Sequence, residues 1–152
     1  MKKVFQKIVE KDKGDCMSAS IASLFEMNLE EVPYFKLFGD KWFSEMWEFY
    51  KSKGYDNICC FNPRNLDLEL AKEALRYDGG VDGFFEASVK SQTFENAMHS
   101  VVIDTEMKIV HDPNPNQLAL KLRPEDITEI VVVNKREWYF ESDGTLVKKM
   151  NR

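Results

Sequence analysis

The hydrophobic pattern of this chain changes period near Gly79-Gly80, and that change restricts the folds open to it. Before this pair, apolar residues recur mainly at helical spacing; after it, they alternate as they do in β-strands. Helices followed by an antiparallel set of strands indicate an α+β domain rather than repeated βαβ units. We therefore expect N-terminal helices packed on a C-terminal antiparallel sheet in the form of a meander.

Capping and turn residues divide this pattern into elements. A strand or extended entry is predicted at 4–9. Helices are predicted at 16–27 after an Asp15 cap, at 40–53 with Asp40 as cap, and at 66–77 with Asn65 as candidate cap. Strands are predicted at 55–61, 84–89, 98–103, 108–111, 129–133, 137–141 and 145–149. Asp143-Gly144 predicts a hairpin turn between the last two strands.

Composition favours one domain spanning residues 1–152, because 43% of the 152 residues are apolar. A formal net charge of −5 disfavours binding to nucleic acid or to an anionic membrane surface. The sequence contains no apolar run long enough for a signal peptide or a membrane span, so we expect a soluble, cytoplasmic protein. The three cysteines, two of them adjacent, predict reduced thiols rather than a disulfide framework.

Cys16 stands where a turn becomes a helix, in the segment GDCMSASIASLF at residues 14–25. Unpaired N–H groups and the positive end of the helix dipole favour the thiolate form of a cysteine at such a position. Taken alone, a free cysteine is more often a small core residue. Cys59 and Cys60, in a predicted buried strand, are expected to be core residues.

A predicted hairpin downstream brings a histidine and a carboxylate together. If residues 104–107 form its turn, counting outward in antiparallel register pairs His99 with Asp112. Directly opposed residues share a sheet face, with Cβ atoms ~5 Å apart, so the carboxylate can hold one imidazole nitrogen and direct the other outward.

This pairing depends on the turn, because it requires Ile103 to lie opposite Lys108. A slip of one residue would put His111 opposite His99, in the place of Asp112. A metal site built from the two histidines, Asp112 and Cys16 lacks the short ligand spacing of zinc motifs, so we expect no metal.

Cys16, His99 and Asp112 are the residue types that a thiol hydrolase needs. His99 would shuttle a proton between the thiol and the leaving group, and Asp112 would orient His99. The backbone N–H of Cys16 would help to stabilise a developing oxyanion.

Four segments of the chain together resemble the papain-like cysteine peptidase superfamily, most of all its C39-type domains. They are GDCMSASIASLF at 14–25, EVPYF at 31–35, HSVV at 99–102 and HDPNP at 111–115. The chain is also similar to small phage and bacterial proteins that share GDC, an EVPYF-like segment and HDP-x-P. The resemblance spans residues 6 to about 115. It implies a papain-like fold in which Cys16 is the nucleophile, His99 the general base and acid, and Asp112 the orienting residue.

Two positions depart from the family pattern. The superfamily usually places an oxyanion-hole glutamine a handful of residues before the cysteine, whereas the only upstream glutamine here is Gln6, ten residues away. C39-type domains often have glycine after the cysteine, and this chain has Met17. Gln6 is the candidate oxyanion donor, with Asp15 or the backbone alone as alternatives.

Two functional hypotheses follow. The first is a thiol hydrolase or acyltransferase that acts without a cofactor on an amide, isopeptide or thioester bond of a peptide-like or acyl substrate. The second is a non-catalytic binding module on the same fold, for example a phage-encoded protein that sequesters a host protein or small molecule in the host cytoplasm. The Cys16, His99 and Asp112 constellation favours the first, whereas the short chain, with little room for an elaborate cleft, favours the second.

Overall fold

The computed structural model describes residues 1–135, 138–140 and 142–148. Its α-helices are α1 (Cys16–Leu24), α2 (Trp42–Ser52) and α3 (Leu68–Asp78). Its strands are β1 (Tyr55–Phe61), β2 (Phe84–Lys90), β3 (Met98–Asp104), β4 (Ile109–His111), β5 (Ile127–Lys135), β6 (Trp138–Phe140) and β7 (Leu146–Lys148). The α+β class is confirmed. In the described ranges, no helix combines the length and the apolarity needed to cross a bilayer.

Five strands form one antiparallel sheet in the order β1-β5-β2-β3-β4. Strands β2, β3 and β4 follow one another as a meander, but β5 returns to lie between β1 and β2. The prediction of a simple meander is therefore wrong for β5. The four consecutive buried residues at 130–133 explain this central place, because a strand covered on both faces needs apolar residues at every position.

Helices cover both faces of the sheet. Val131 of β5 packs in one hydrophobic cluster with Ile21 of α1 and Tyr50 of α2. Its neighbour Val132 points to the opposite face and packs in a second cluster with Leu75 of α3. The expected packing of N-terminal helices on one face thus holds for α1 and α2, while α3 covers the other face.

Helix α1 lies close against the sheet because its side chains are small. Residues 18–24 are all buried, and five of them are alanine or serine, at positions 18, 19, 20, 22 and 23. The helix ends at Leu24 instead of the predicted residue 27, with Phe25 as its C-cap. This tight packing fixes the position of the helix N-terminus, where Cys16 lies.

Helix α2 begins later than predicted, since Lys41 rather than Asp40 is its N-cap. A 3-10 segment at Phe35–Lys41 precedes it and contains Gly39 at φ +52°, a left-handed value that glycine tolerates. Trp47 is 42% exposed, so the helix is buried less deeply than its aromatic face predicts.

Cys59 and Cys60 are exposed, and their predicted place in the core is wrong. Strand β1 lies at the edge of the sheet and pairs with β5 alone, with a register shift after Asp56. An apolar run predicts a strand, but the order of strands decides which of them lies at an edge.

The hairpin predicted at Asp143-Gly144 is present, since β6 and β7 pair antiparallel and Gly144 has φ +88° between them. Positions 137, 141 and 149 of the two predicted strands lie outside the described residues. The segment predicted as extended at 4–9 carries no strand ladder, but its Gln6 N donates to Pro113 O at 2.9 Å.

Asp67, not the predicted Asn65, caps α3 by accepting hydrogen bonds from Glu69 N (2.8 Å) and Leu70 N (3.3 Å). Asp67→Ala should therefore lower the free energy of unfolding by about 1 kcal/mol. Urea titration followed by circular dichroism measures this loss. The matched variant Asn65→Ala should change it by less than about 0.5 kcal/mol. Equal losses in the two variants would contradict this assignment of the cap.

Candidate active site

Cys16 is the first residue of α1, and it is partly exposed. The first intrahelical hydrogen bond runs from Ala19 N to Asp15 O at 3.0 Å. Backbone N–H groups before Ala19 therefore have no intrahelical acceptor and give the helix end a partial positive charge. The thiol lies at this end, as the sequence predicts.

Asp15 occupies the N-cap position, but its carboxylate holds the N-terminal segment. The side chain is buried, and Oδ1 accepts hydrogen bonds from Ile8 N at 3.0 Å and from Lys7 N at 3.1 Å. These bonds fix the residues that follow Gln6 against the start of α1. Asp15 accepts N–H groups here, so it does not replace Gln6 as a hydrogen-bond donor to an oxyanion.

His99 and Asp112 form the central contact of the site. The distance from His99 Nε2 to Asp112 Oδ1 is 2.6 Å, and the two side chains are 12% and 2% exposed. The same carboxylate accepts the backbone N–H of Asn114 at Oδ1 and that of Ala119 at Oδ2, both at 2.9 Å. With Nε2 donating to Asp112, Nδ1 is the ring nitrogen left to interact with Cys16, which contributes to the raised His99 pKa.

The surroundings of His99 favour its protonated form. Burial alone would lower the His99 pKa, but hydrogen bonds with Asp112 and Cys16, together with their charges, raise it to about 9. Burial would raise the Asp112 pKa, yet the bonds from His99 and two backbone N–H groups hold it below its ordinary value. At neutral pH the imidazolium is therefore the favoured form of His99.

The predicted register of the β3-β4 hairpin is wrong, although the side-chain contact that it predicted is present. Ile103 pairs with Ile109 and not with Lys108. Asp112 consequently follows the last residue of β4 and reaches His99 from the loop beyond the strand.

The turn itself causes this difference. The Asp104 side chain accepts hydrogen bonds from Glu106 N and Lys108 N, both at 2.9 Å, and Met107 adopts a left-handed φ of +59°. This side-chain-closed turn is wider than the tight hairpin that the sequence predicts, and a register shift follows in the ladder.

His111 has a separate structural role. Its Nε2 donates to Val4 O at 2.6 Å, and its ring makes an edge contact with Phe5 at 5.1 Å between centroids. Burial lowers the His111 pKa, so the ring is neutral at neutral pH. His111 thus anchors the N-terminal segment, and His99 is the histidine beside Cys16.

Gln6 lies in the same cleft as Cys16 and is 7% exposed. Its Nε2 donates to Ile8 O at 2.7 Å, which leaves the second amide hydrogen for another acceptor. Among the described residues, Gln6 Oε1 has no hydrogen-bond partner. Gly14 permits this arrangement, because a Cβ there would lie 3.4 Å from Gln6 Nε2 and 3.2 Å from Ile8 O.

An open cleft of about 640 Å³ faces Cys16 and His99. Apolar side chains from two segments line its walls, among them Tyr34, Phe35, Trp42, Phe94 and Met98. Ser88, Ser100 and Glu129 of the sheet contribute polar groups. The short chain therefore does leave room for a substrate next to the thiol.

The EVPYF segment has a positioning role that the sequence reasoning missed. Ser18 Oγ of α1 donates to Pro33 O at 2.7 Å, and the Tyr34 hydroxyl donates to Lys13 O. These bonds tie both sides of Cys16 to the segment. The sequence did carry a signal for this role, because EVPYF occurs together with the cysteine motif in the proteins that the chain resembles.

Comparisons with protein-family models, with curated proteins and with solved structures find no match to this chain. Within the described part of the chain, no group of three metal-ligating side chains could hold a metal ion. The geometry of Cys16, His99, Asp112 and Gln6 is consequently what indicates a function.

Asp112→Asn should lower the His99 pKa from about 9 by roughly one unit or more, because the amide carries no charge to stabilise the imidazolium. Titration of the His99 ring resonances by NMR measures this change. Asp82→Asn alters an exposed carboxylate and should leave the midpoint where it is. An unchanged midpoint in a folded Asp112→Asn protein would contradict the role assigned to Asp112.

Proposed function

We propose that this protein is a papain-like, C39-like thiol enzyme that transfers an acyl group through Cys16. Its substrate would be a peptide-like or acyl compound with an amide, isopeptide or thioester bond. The hydrogen bond between His99 and Asp112, beside Cys16 and open to a cleft, is the observation that carries this proposal. Hydrolysis and transfer differ only in whether water or another nucleophile takes the acyl group.

In the proposed mechanism the Cys16 thiolate attacks the substrate carbonyl carbon, and the carbonyl π electrons move to oxygen. The imidazolium of His99 stabilises the thiolate before attack. It then gives its proton to the leaving group as the carbon–heteroatom bond breaks, which leaves an acyl group on sulfur. In the second half, neutral His99 takes a proton from the incoming nucleophile, and the sulfur leaves.

Two donors are available for the developing oxyanion. The backbone N–H of Cys16 lies in the first turn of α1, where helix geometry provides no acceptor. The second hydrogen of Gln6 Nε2 is the side-chain candidate. Each such donor contributes on the order of 10²–10³ to the rate in known oxyanion holes.

The order and placement of these elements support the papain-like proposal. The cysteine begins a helix that packs on one face of an antiparallel sheet, and the histidine lies near the start of a strand in that sheet. The carboxylate follows the next strand. The same parts occur in this order in the superfamily that the sequence resembles.

Cys16 should react with iodoacetamide at pH 6 at least about tenfold faster than a free small-molecule thiol, because the His99 imidazolium stabilises its thiolate. His99→Ala should abolish this advantage. Mass spectrometry of peptides from a time course measures the rate at each cysteine separately.

Cys59 and Cys60 are matched controls within the same chain. Although both residues are exposed, the surrounding protein removes part of the water around each sulfur. This raises the pKa of both thiols, that of Cys60 to about 12 with a further contribution from Glu129, so both should react slowly at pH 6. If Cys16 reacts no faster than they do, and His99→Ala leaves its rate unchanged, the catalytic proposal fails. The binding module would then be favoured, and a Cys16→Ser protein should retain its biological effect.

A further inference from the structure

Glu129 of β5 is a half-buried carboxylate in the cleft that the proposed mechanism does not use. It pairs directly with Ser88 of β2, and Ser88 pairs directly with Ser100 of β3. Directly paired residues of antiparallel strands share a sheet face, so the three side chains form one row across three strands. All three line the cleft, and the sheet therefore gives the cleft a polar surface that ends in a carboxylate.

The backbone holds Glu129 within reach of a substrate bound at Cys16. The ladder between β2 and β5 shifts register directly after the pair of Ser88 and Glu129, and Thr128 Oγ1 donates to Ser88 O at 3.0 Å beside this shift. Such bulges redirect side chains and are frequent next to active sites. Two strand spacings place the Glu129 backbone ~10 Å from β3, which carries His99. An extended peptide covers this distance in about three residues.

No positive charge of the described chain neutralises Glu129. Among the described residues, no lysine, arginine or histidine side chain forms an ion pair with it. The Ser100 hydroxyl donates to Glu86 Oε1 at 2.7 Å, so its hydrogen is not available to Glu129. The Cys60 thiol interacts with Glu129, but its pKa is raised to about 12, so it is neutral at neutral pH. The carboxylate therefore keeps a negative potential in the cleft.

The other charges that are described along the cleft cancel or are compensated. Its exposed charged side chains are two carboxylates and two ammonium groups, those of Glu10, Asp12, Lys11 and Lys36. The buried Asp15 carboxylate accepts hydrogen bonds from two backbone N–H groups. The thiolate and the imidazolium of the proposed catalytic pair carry no net charge together. Glu129 consequently gives the described part of the cleft its excess negative charge.

We propose that Glu129 is a specificity-determining residue that binds the ammonium or guanidinium group of a peptide substrate. The substrate carries a lysine or an arginine within about three residues of the carbonyl that Cys16 attacks. The inference rests on the proposed function, because it names the substrate class of that same site. Apolar walls that include Trp42 and Phe94 suit the aliphatic stem of such a side chain, whose charged end then reaches the carboxylate.

Affinity labelling of Cys16 tests this preference without requiring turnover. The probes are trialanine peptides in which one position is replaced by lysine, methionine or glutamate, with an iodoacetyl group at the N-terminus. Peptides with a chloromethyl ketone at the C-terminus present the chain in the opposite direction. Mass spectrometry measures the labelling rate at Cys16. At the best position, the lysine peptide should label the wild type about fivefold faster than the methionine peptide, the effect expected of one ion pair.

Three variants show whether Glu129 causes the preference. Glu129→Gln should abolish it, because glutamine retains the shape of the side chain but carries no charge. Glu129→Lys should reverse it, so that the glutamate peptide labels faster than the lysine peptide. Glu10→Gln is the matched control, since it removes one negative charge from an exposed position along the same cleft. This variant should keep most of the preference for lysine.

The outcomes separate this inference from the proposed function. Equal rates for lysine and methionine peptides in the wild type overturn the inference, and so does a lysine preference that Glu129→Gln retains. Equal losses of preference in Glu10→Gln and Glu129→Gln also overturn it, because the general charge of the cleft would then select the peptide. Slow, His99-independent alkylation of Cys16 overturns the proposed function, while the ratio of the two labelling rates still decides the role of Glu129.

Discussion

The hydrogen bond between His99 and Asp112 is the interaction on which the site depends. Asp112 can hold the imidazole in one orientation because its two oxygens also accept backbone N–H groups of Asn114 and Ala119. The loop after β4 is therefore folded around a carboxylate whose position the ring requires. Together with Cys16, Asp112 reverses the effect of burial on the His99 pKa and favours the charged form of His99 at neutral pH.

The second constraint is the attachment of the N-terminal segment. Asp15 binds the backbone after Gln6, Pro113 O accepts the Gln6 N–H, and His111 binds Val4 O. These bonds join the start of the chain to α1 and to the loop after β4. A glutamine ten residues before the cysteine consequently reaches the cleft, a distance that the sequence pattern alone leaves open.

Much of the fold and the candidate site could be predicted because local patterns determine them. Runs of apolar residues indicate strands such as β1 and β3, and the turn before Cys16 indicates a helix start. The predictions that failed concern features that depend on contacts between residues distant in sequence, or on a single side chain. The Asp104 side chain widens a turn and shifts the register, and the insertion of β5 leaves Cys59 and Cys60 on an edge strand.

The role of Cys16 as an acyl-accepting nucleophile is tested by the mass of the intact protein after brief exposure to p-nitrophenyl acetate at neutral pH. One acetyl group, located on Cys16, should form in the wild type, disappear on standing and not form in His99→Ala. Acetylation that is equally fast in His99→Ala, or that occurs on Cys59 and Cys60 as readily as on Cys16, would contradict it.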